Sequence, residues 1–313
     1  MAYPNRILFM GTPDFAVTAL KALCQAGYPV CAVVTQPDKP TGRGYKMTPP
    51  AVKTAALELG LPVYQPETLK NGAFEQTLST LAPDLIIVAA YGKLLPDYLL
   101  NYPSCGCINI HGSLLPKYRG AAPIQRALIN GETVSGITIM KMEHGLDTGD
   151  IFLRREVPIL EEDNFETLHD KLAVCGAETI LEALTLLSED KLHAEKQNDA
   201  LATYAAKIEN ADCLLNFSAN AYTLHNQIRG LSPFPLAYTV HRDKKLKIAA
   251  ASWKTGNAGA QPGTVLSLRD GIITVACGQD ILLITEVLPE GKKRMKAADF
   301  INGRGIAAGD ILG

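Results

Sequence analysis

The sequence predicts an α/β protein: a doubly wound, mainly parallel sheet followed by a small β-barrel. Three observations carry that prediction. The first half of the chain alternates short β-rich runs with helical patterns. Leu85-Ile86-Ile87-Val88-Ala89-Ala90 is a continuous apolar run, as a central parallel strand buried on both faces requires. After Lys207 the texture changes to short strands with frequent turn signals, which suits a small barrel.

In order along the chain, Ile7–Met10 reads as a buried strand, broken by Gly11-Thr12-Pro13, and Asp14 begins and caps a helix running to about Ala26. Val30–Thr35, Leu85–Ala90 and Cys107–His111 are the next strands, followed by Ser135–Lys141 and Asp150–Arg155. Asn164–Leu187 is a long amphipathic helix, and the polar, poorly periodic stretch after it reads as a linker. One helix near Ser218–Arg229 precedes strands at Lys245–Ala250, Gly263–Leu268, Ile272–Ala276 and Ile281–Val287. The expected domains are residues 1–190, a linker at 191–206, and a second domain at 207–313.

With 313 residues, 47% of them hydrophobic, the chain can bury two ordinary cores. No apolar run approaches the ~20 residues of a membrane helix, and the opening Met1-Ala2-Tyr3-Pro4-Asn5-Arg6 lacks the form of a secretion signal, so a cytoplasmic protein is expected. The seven cysteines include a Cys105-x-Cys107 pair but no second pair at zinc spacing, which points to reduced thiols and no metal site. Charge is unevenly placed. Residues 207–313 are net +4 and the rest net −6, a split that suits a polyanionic partner.

The most informative stretch is Ile108-Asn109-Ile110-His111-Gly112-Ser113-Leu114-Leu115-Pro116. Alternation along a strand puts Asn109 and His111 on one face and the isoleucines on the other. Polar groups at the carboxyl end of a strand are where open α/β sheets place their chemistry. Asp147, between Gly145 and Gly149, is the candidate third member. An amide donor, an imidazole and a carboxylate together suit acyl transfer: the amide stabilises an oxyanion, and the carboxylate orients the imidazole or favours its charged form. No serine or cysteine stands in a nucleophile's setting, so transfer is direct, between two bound substrates. The first strand-to-helix turn has one glycine and a proline where a dinucleotide fingerprint needs three glycines, which disfavours NAD. Gln36–Pro50 is a long loop, net +2, with Arg43 between two glycines. Loops of this length are uncommon, and a basic one suits phosphate clamping or entry into a nucleic-acid groove.

Asn109–Gln125 (Asn-Ile-His-Gly-Ser-Leu-Leu-Pro-Lys-Tyr-Arg-Gly-Ala-Ala-Pro-Ile-Gln), with Gly-Leu-Asp-Thr-Gly-Asp at 145–150, resembles the formyltransferases that use 10-formyltetrahydrofolate. The fuller match is to the branch acting on methionyl initiator tRNA. Ile-Leu-Phe-Met-Gly-Thr-Pro-Asp-Phe-Ala (7–16), Gln-Pro-Asp-Lys-Pro-Thr-Gly-Arg-Gly (36–44) and Ala-Ala-Tyr-Gly-Lys-Leu-Leu-Pro (89–96) extend it over essentially the whole chain. The resemblance implies a Rossmann-like formyltransferase domain and an OB-like barrel that supports the tRNA. It implies Asn109, His111 and Asp147 as the catalytic trio. It also implies Ser113, Leu114, Leu115 and Pro116 as the segment lining the folate site, and Arg43 as a residue recognising the acceptor end of the tRNA. A glycine is expected where Leu236 stands. The implied protein is a monomer that uses a folate co-substrate and no metal. Two other functions fit parts of the pattern: a formyltransferase acting on an amino-sugar nucleotide, and a tRNA-binding protein with a catalytically dead first domain.

Overall fold

The computed structural model describes residues 4–41 and 46–313. The chain divides into two compact units. One comprises the residues up to Pro123, with Val134–Pro158 and His169–Ala205; the other comprises Ile124–Thr133, Ile159–Leu168 and Ala206–Gly313.

The first unit holds strands β1 (Ile7–Gly11), β2 (Val30–Val34), β3 (Lys39–Thr41), β4 (Lys46–Thr48), β5 (Val63–Tyr64), β6 (Leu85–Ala89), β7 (Cys107–His111), β8 (Arg119–Gly120), β9 (Val134–Lys141), β10 (Ile151–Pro158) and β11 (Tyr204–Ala205). Seven of them form a Rossmann-like sheet in the order β10-β9-β7-β6-β1-β2-β5. The five from β7 to β5 run parallel, while β9 and β10 are antiparallel. The strands β1, β6 and β7 are buried along their whole length, as strands covered on both faces must be.

Helix α1 (Asp14–Gln25) begins at Asp14 as expected, but Asp14 is not its cap. Its N-cap is Pro13, in extended conformation, so Asp14 is the first helical residue and not the cap. Its carboxylate still sits in the first turn, where the helix dipole favours a negative charge. The short helices α2 (Ala51–Glu58), α3 (Glu75–Leu81), α4 (Asp97–Leu100) and α5 (Pro123–Ile129) have no counterpart in the sequence reading, which resolved only α1 and the long α6 (Phe165–Ser188) before residue 190. None exceeds eight residues, too short for a 3.6-residue period to show.

The ends of the Gln36–Pro50 loop are ordered as an antiparallel pair, Lys39–Thr41 with Lys46–Thr48. Asp38 anchors it, accepting from Gln65 Nε2 and from Lys53 Nζ, each at 2.8 Å. Those bonds, the one from Gln65 foremost, hold the Asp38 carboxyl below its ordinary range. Arg43, expected to meet tRNA, lies outside the described residues.

The second unit contains helix α7 (Ala221–Gly230), strands β12 (Ala237–His241), β13 (Lys244–Lys254), β14 (Val265–Ser267), β15 (Ile273–Ala276), β16 (Ile281–Pro289) and β17 (Met295–Lys296), and helix α8 (Ala297–Asn302). The strands make a curled antiparallel sheet, β12-β13-β16-β15-β14, with β17 on β16. The chain's last residues run between its two edges. Thr264, just before β14, bridges to Ile311, and Gly313 N–H donates to Val240 O of β12 at 3.1 Å. Leu224 and Ile228 of α7 pack with Ile248, Val275, Leu282, Ile284 and Phe300 into one core. Leu236 takes φ +76° there, the left-handed conformation a glycine would adopt freely.

Candidate active site

Strand β7 carries the site because its side chains alternate. Ile108 and Ile110 lie on one face, and Asn109 and His111 on the other. Backbone pairing fixes both polar residues: Asn109 lies between Val88 of β6 and Met140 of β9, and His111 pairs Thr138 of β9. They are buried to 9% and 6% exposure, deep enough that electrostatic interactions there are stronger than in water.

Asp147 arrives from the connection between β9 and β10. Its backbone is left-handed (φ +54°), a conformation aspartate tolerates better than most residues. The turn also requires glycine two residues on, since a Cβ on Gly149 would lie 1.9 Å from the Lys141 carbonyl oxygen. Asp147 Oδ2 stands 3.7 Å from His111 Nδ1 and accepts the Gly120 N–H at 2.8 Å. The structure thus brings Asp147 to His111, while Asn109 shares the face of β7 that carries His111.

The other face of the imidazole is also held. His111 Nε2 lies 3.0 Å from the carbonyl oxygen of Tyr118. A carbonyl only accepts, so Nε2 carries the proton and Nδ1 of the neutral ring keeps its lone pair, facing Asp147. Tyr118 presents that carbonyl from a left-handed turn (φ +62°).

Ser113 to Pro116 form the turn after β7, and hydrogen bonds lock it. Ser113 Oγ donates to Lys117 O at 2.7 Å. Thr138 Oγ1 donates to Ser113 O and accepts the Leu115 N–H. Arg154 Nε donates to Leu115 O, and the Leu115–Pro116 peptide is cis. Leu115 packs inward against Met140 and Ile151, whereas Leu114 and Pro116 remain partly exposed. Burial pushes the thiol of Cys107, also on β7, up to about 12, so it supplies no thiolate near neutral pH.

Sequence reasoning missed the segment that holds this site together. Of the linker expected at 191–206, residues 191–205 belong to the first unit and are bonded into it. Glu195 exchanges two backbone bonds with Ile151. Thr203 accepts the Arg119 N–H through its carbonyl and the Tyr118 N–H through its hydroxyl. Strand β11 pairs β8, against Gly120, whose φ of +120° and 2.9 Å Cβ approach to Ala205 O admit only glycine. Gln197 reaches the Asp147 loop itself. A two-residue strand and a lone glutamine in a polar stretch leave no periodic signal.

Among the described residues no group of three or more His, Cys, Asp or Glu side chains could hold a metal ion. No helix among them is long and apolar enough to cross a membrane.

A doubly wound sheet with an amide and an imidazole at the end of one strand, and a carboxylate brought to the imidazole from a loop, carries the groups that acyl transfer uses, and comparison with known proteins specifies the class. The formyl transferase family model matches residues 5–184, and the model of the formyl transferase C-terminal domain matches residues 207–305. The chain belongs to the formyl transferase family. It is 47% identical over 307 residues to the methionyl-tRNA formyltransferase of Syntrophus aciditrophicus, covering 98% of both chains. It is 50% identical over 308 residues to that of Caldanaerobacter subterraneus, covering 98% of this chain and 99% of the relative. In fold it resembles HypX from Aquifex aeolicus solved with tetrahydrofolic acid, at a TM-score of 0.63 and 15% identity, over 96% of this chain and 47% of that one.

Proposed function

We propose that this protein transfers the formyl group of 10-formyltetrahydrofolate to the α-amino group of methionyl initiator tRNA, with Asn109, His111 and Asp147 performing the chemistry. The observation that carries the reading is the approach of Asp147 to His111, on the strand face that also carries Asn109, within a chain about half identical, end to end, to methionyl-tRNA formyltransferases.

In this mechanism the α-amine attacks the formyl carbon, a C–N bond forms, and the formyl oxygen becomes an oxyanion. Asn109 donates its amide N–H to that oxygen. The proton leaving the amine goes to Nδ1 of His111, the nitrogen that Tyr118 leaves unprotonated. Asp147, 3.7 Å away, balances the imidazolium that results. As the intermediate collapses, the bond from carbon to the folate N10 breaks. That nitrogen takes the proton back from His111 Nδ1, the oxyanion returns to a carbonyl, and tetrahydrofolate leaves. The side chains of Ser113 and Leu115 are spent on shaping the turn, so Leu114, Pro116 and the turn's backbone are what a folate would meet.

The first unit, through Ala205, serves the chemistry in this reading, and the basic residues 207–313 support the tRNA. Arg43 contacts the acceptor end of the tRNA. The protein works as a cytoplasmic monomer.

The deciding assay incubates the protein with methionylated initiator tRNA and 10-formyltetrahydrofolate and asks whether the amino group becomes blocked. Formylation of an amino-sugar nucleotide in place of the tRNA would select the sugar reading, and no donor turnover with either acceptor would select the dead tRNA-binding protein. Arg43→Ala is expected to raise KM for the tRNA with KM for the folate unchanged; unaltered tRNA kinetics would remove Arg43 from the tRNA contacts.

A further inference from the structure

Gln197 joins the two arms that hold Asp147. Its Nε2 donates to the carbonyl oxygens of Asp147 at 2.8 Å and Gly149 at 2.7 Å. Its Oε1 accepts from Arg119, from Nε at 3.1 Å and Nη2 at 2.8 Å. Arginine has no acceptor and a carbonyl has no donor, so these partners alone dictate which way the amide points. Arg119 is held in turn by Asp199 Oδ1, 2.7 Å from Nη2. The guanidinium side chain is 3% exposed and Asp199 81%, so a buried cation leans on a surface carboxylate and on one amide. The residue after Arg119, Gly120, supplies the N–H that holds Asp147 Oδ2. One arm therefore grips the carboxylate of Asp147 and the other its carbonyl, and Arg119 connects them.

We propose that Gln197 is a positioning residue for formyl transfer, setting where the Asp147 carboxylate stands relative to the His111 ring. The inference rests on the role given to Asp147 above. Nothing in the remainder of the segment bonds to the Asp147 loop so directly: Glu195 pairs at Ile151, four residues on, and Thr203 serves the Tyr118 side.

A merely structural role, balancing the buried charge of Arg119, predicts something different, and Gln197→Glu separates the two. A carboxylate keeps and strengthens the bonds from Arg119. It also sets an oxygen against the carbonyls of Asp147 and Gly149, which repel it. Positioning predicts that Gln197→Glu and Gln197→Ala both lose about 10- to 100-fold in kcat, the cost of a misplaced catalytic group. KM for folate and for tRNA should stay within about twofold, and the melting temperature of Gln197→Glu should hold. Wild-type kcat in Gln197→Glu overturns the proposal. Should Gln197→Ala fold poorly, Gln197→Glu decides alone, because it retains the Arg119 partner.

A double-mutant comparison isolates the route of the effect. In an Asp147→Asn background, Gln197→Glu should change kcat less than about twofold, since the group it positions is already disabled. A further tenfold loss there would mean that Gln197 acts elsewhere, and would overturn the inference while leaving Asp147 in place. Wild-type kcat in Asp147→Asn alone overturns the parent reading instead.

Discussion

Asp147 stands 3.7 Å from His111, measured from Oδ2 to Nδ1, while the opposite nitrogen of the ring donates to the Tyr118 carbonyl at 3.0 Å. The gap is longer than a hydrogen bond and short enough for a charge on the ring to feel the carboxylate.

Asp147→Asn should therefore lower kcat by about 100-fold or more, because the amide can accept the Gly120 N–H but cannot balance an imidazolium. Single-turnover kinetics at saturating substrates will show it. A variant with unchanged chemistry would restrict Asp147 to shaping its own loop.

Asn109→Ala removes the only amide donor on the site's face of β7 and is expected to cost about 10²–10³ in kcat, the usual penalty for a lost oxyanion donor. Binding of methionylated tRNA, followed by filter retention or fluorescence, should be nearly unaffected. Loss of binding with kcat intact would place Asn109 in ground-state recognition.

Stability of the second unit should depend on pH through Asp212. Arg126 Nη2 and Nη1 meet its two oxygens at 2.8 and 3.1 Å, and the Glu209 N–H adds a third bond. The Arg126 bonds are the chief cause of a carboxyl held below its ordinary range. A carboxyl whose native value is depressed binds protons more readily when unfolded. Its stabilisation is full above the unfolded value and is lost as pH falls through the native one. Asp212→Asn keeps the acceptor for Glu209 and removes the charge. It should cost about 1 kcal/mol at pH 7, a modest figure because both partners are partly exposed. The difference from wild type should close below about pH 4. Melting curves across pH 2–7 measure this, and a constant offset would contradict it.

Leu236 sets two effects against each other. Its φ of +76° costs a non-glycine residue about 1–2 kcal/mol, yet its side chain is 6% exposed and contributes to burial. Leu236→Ala forfeits the burial and keeps the strained backbone; Leu236→Gly forfeits slightly more surface and relieves the strain. Both variants should be less stable than wild type, with glycine above alanine by about 1 kcal/mol in denaturant unfolding. The reverse order would mean that the left-handed conformation costs Leu236 nothing.

The legibility of the fold followed element length. Leu85–Ala89 and Cys107–His111 announced themselves as continuous apolar or alternating runs, and α6 as a long amphipathic period. The two-residue strands β8 and β11 and the short helices gave no period, and β12 was not anticipated between the proline-rich turn and Lys244. The expected glycine at 236 was absent from the chain, but the backbone there kept the glycine conformation.

From the order of residues alone came the doubly wound class, the basic last third, and the pairing of Asn109 with His111, since side chains two apart on a strand must share a face. Their meeting with Asp147 rested on a motif and not on geometry. Only the tertiary structure could decide how Asp147, 36 residues beyond His111, reaches it, and that a polar stretch read as linker would supply Gln197 to hold it there. Alternation along a strand is a local property of the backbone. The approach of 119, 147 and 197 is paid for by long-range hydrogen bonds, and no periodicity in a sequence records which distant amide will meet which carbonyl.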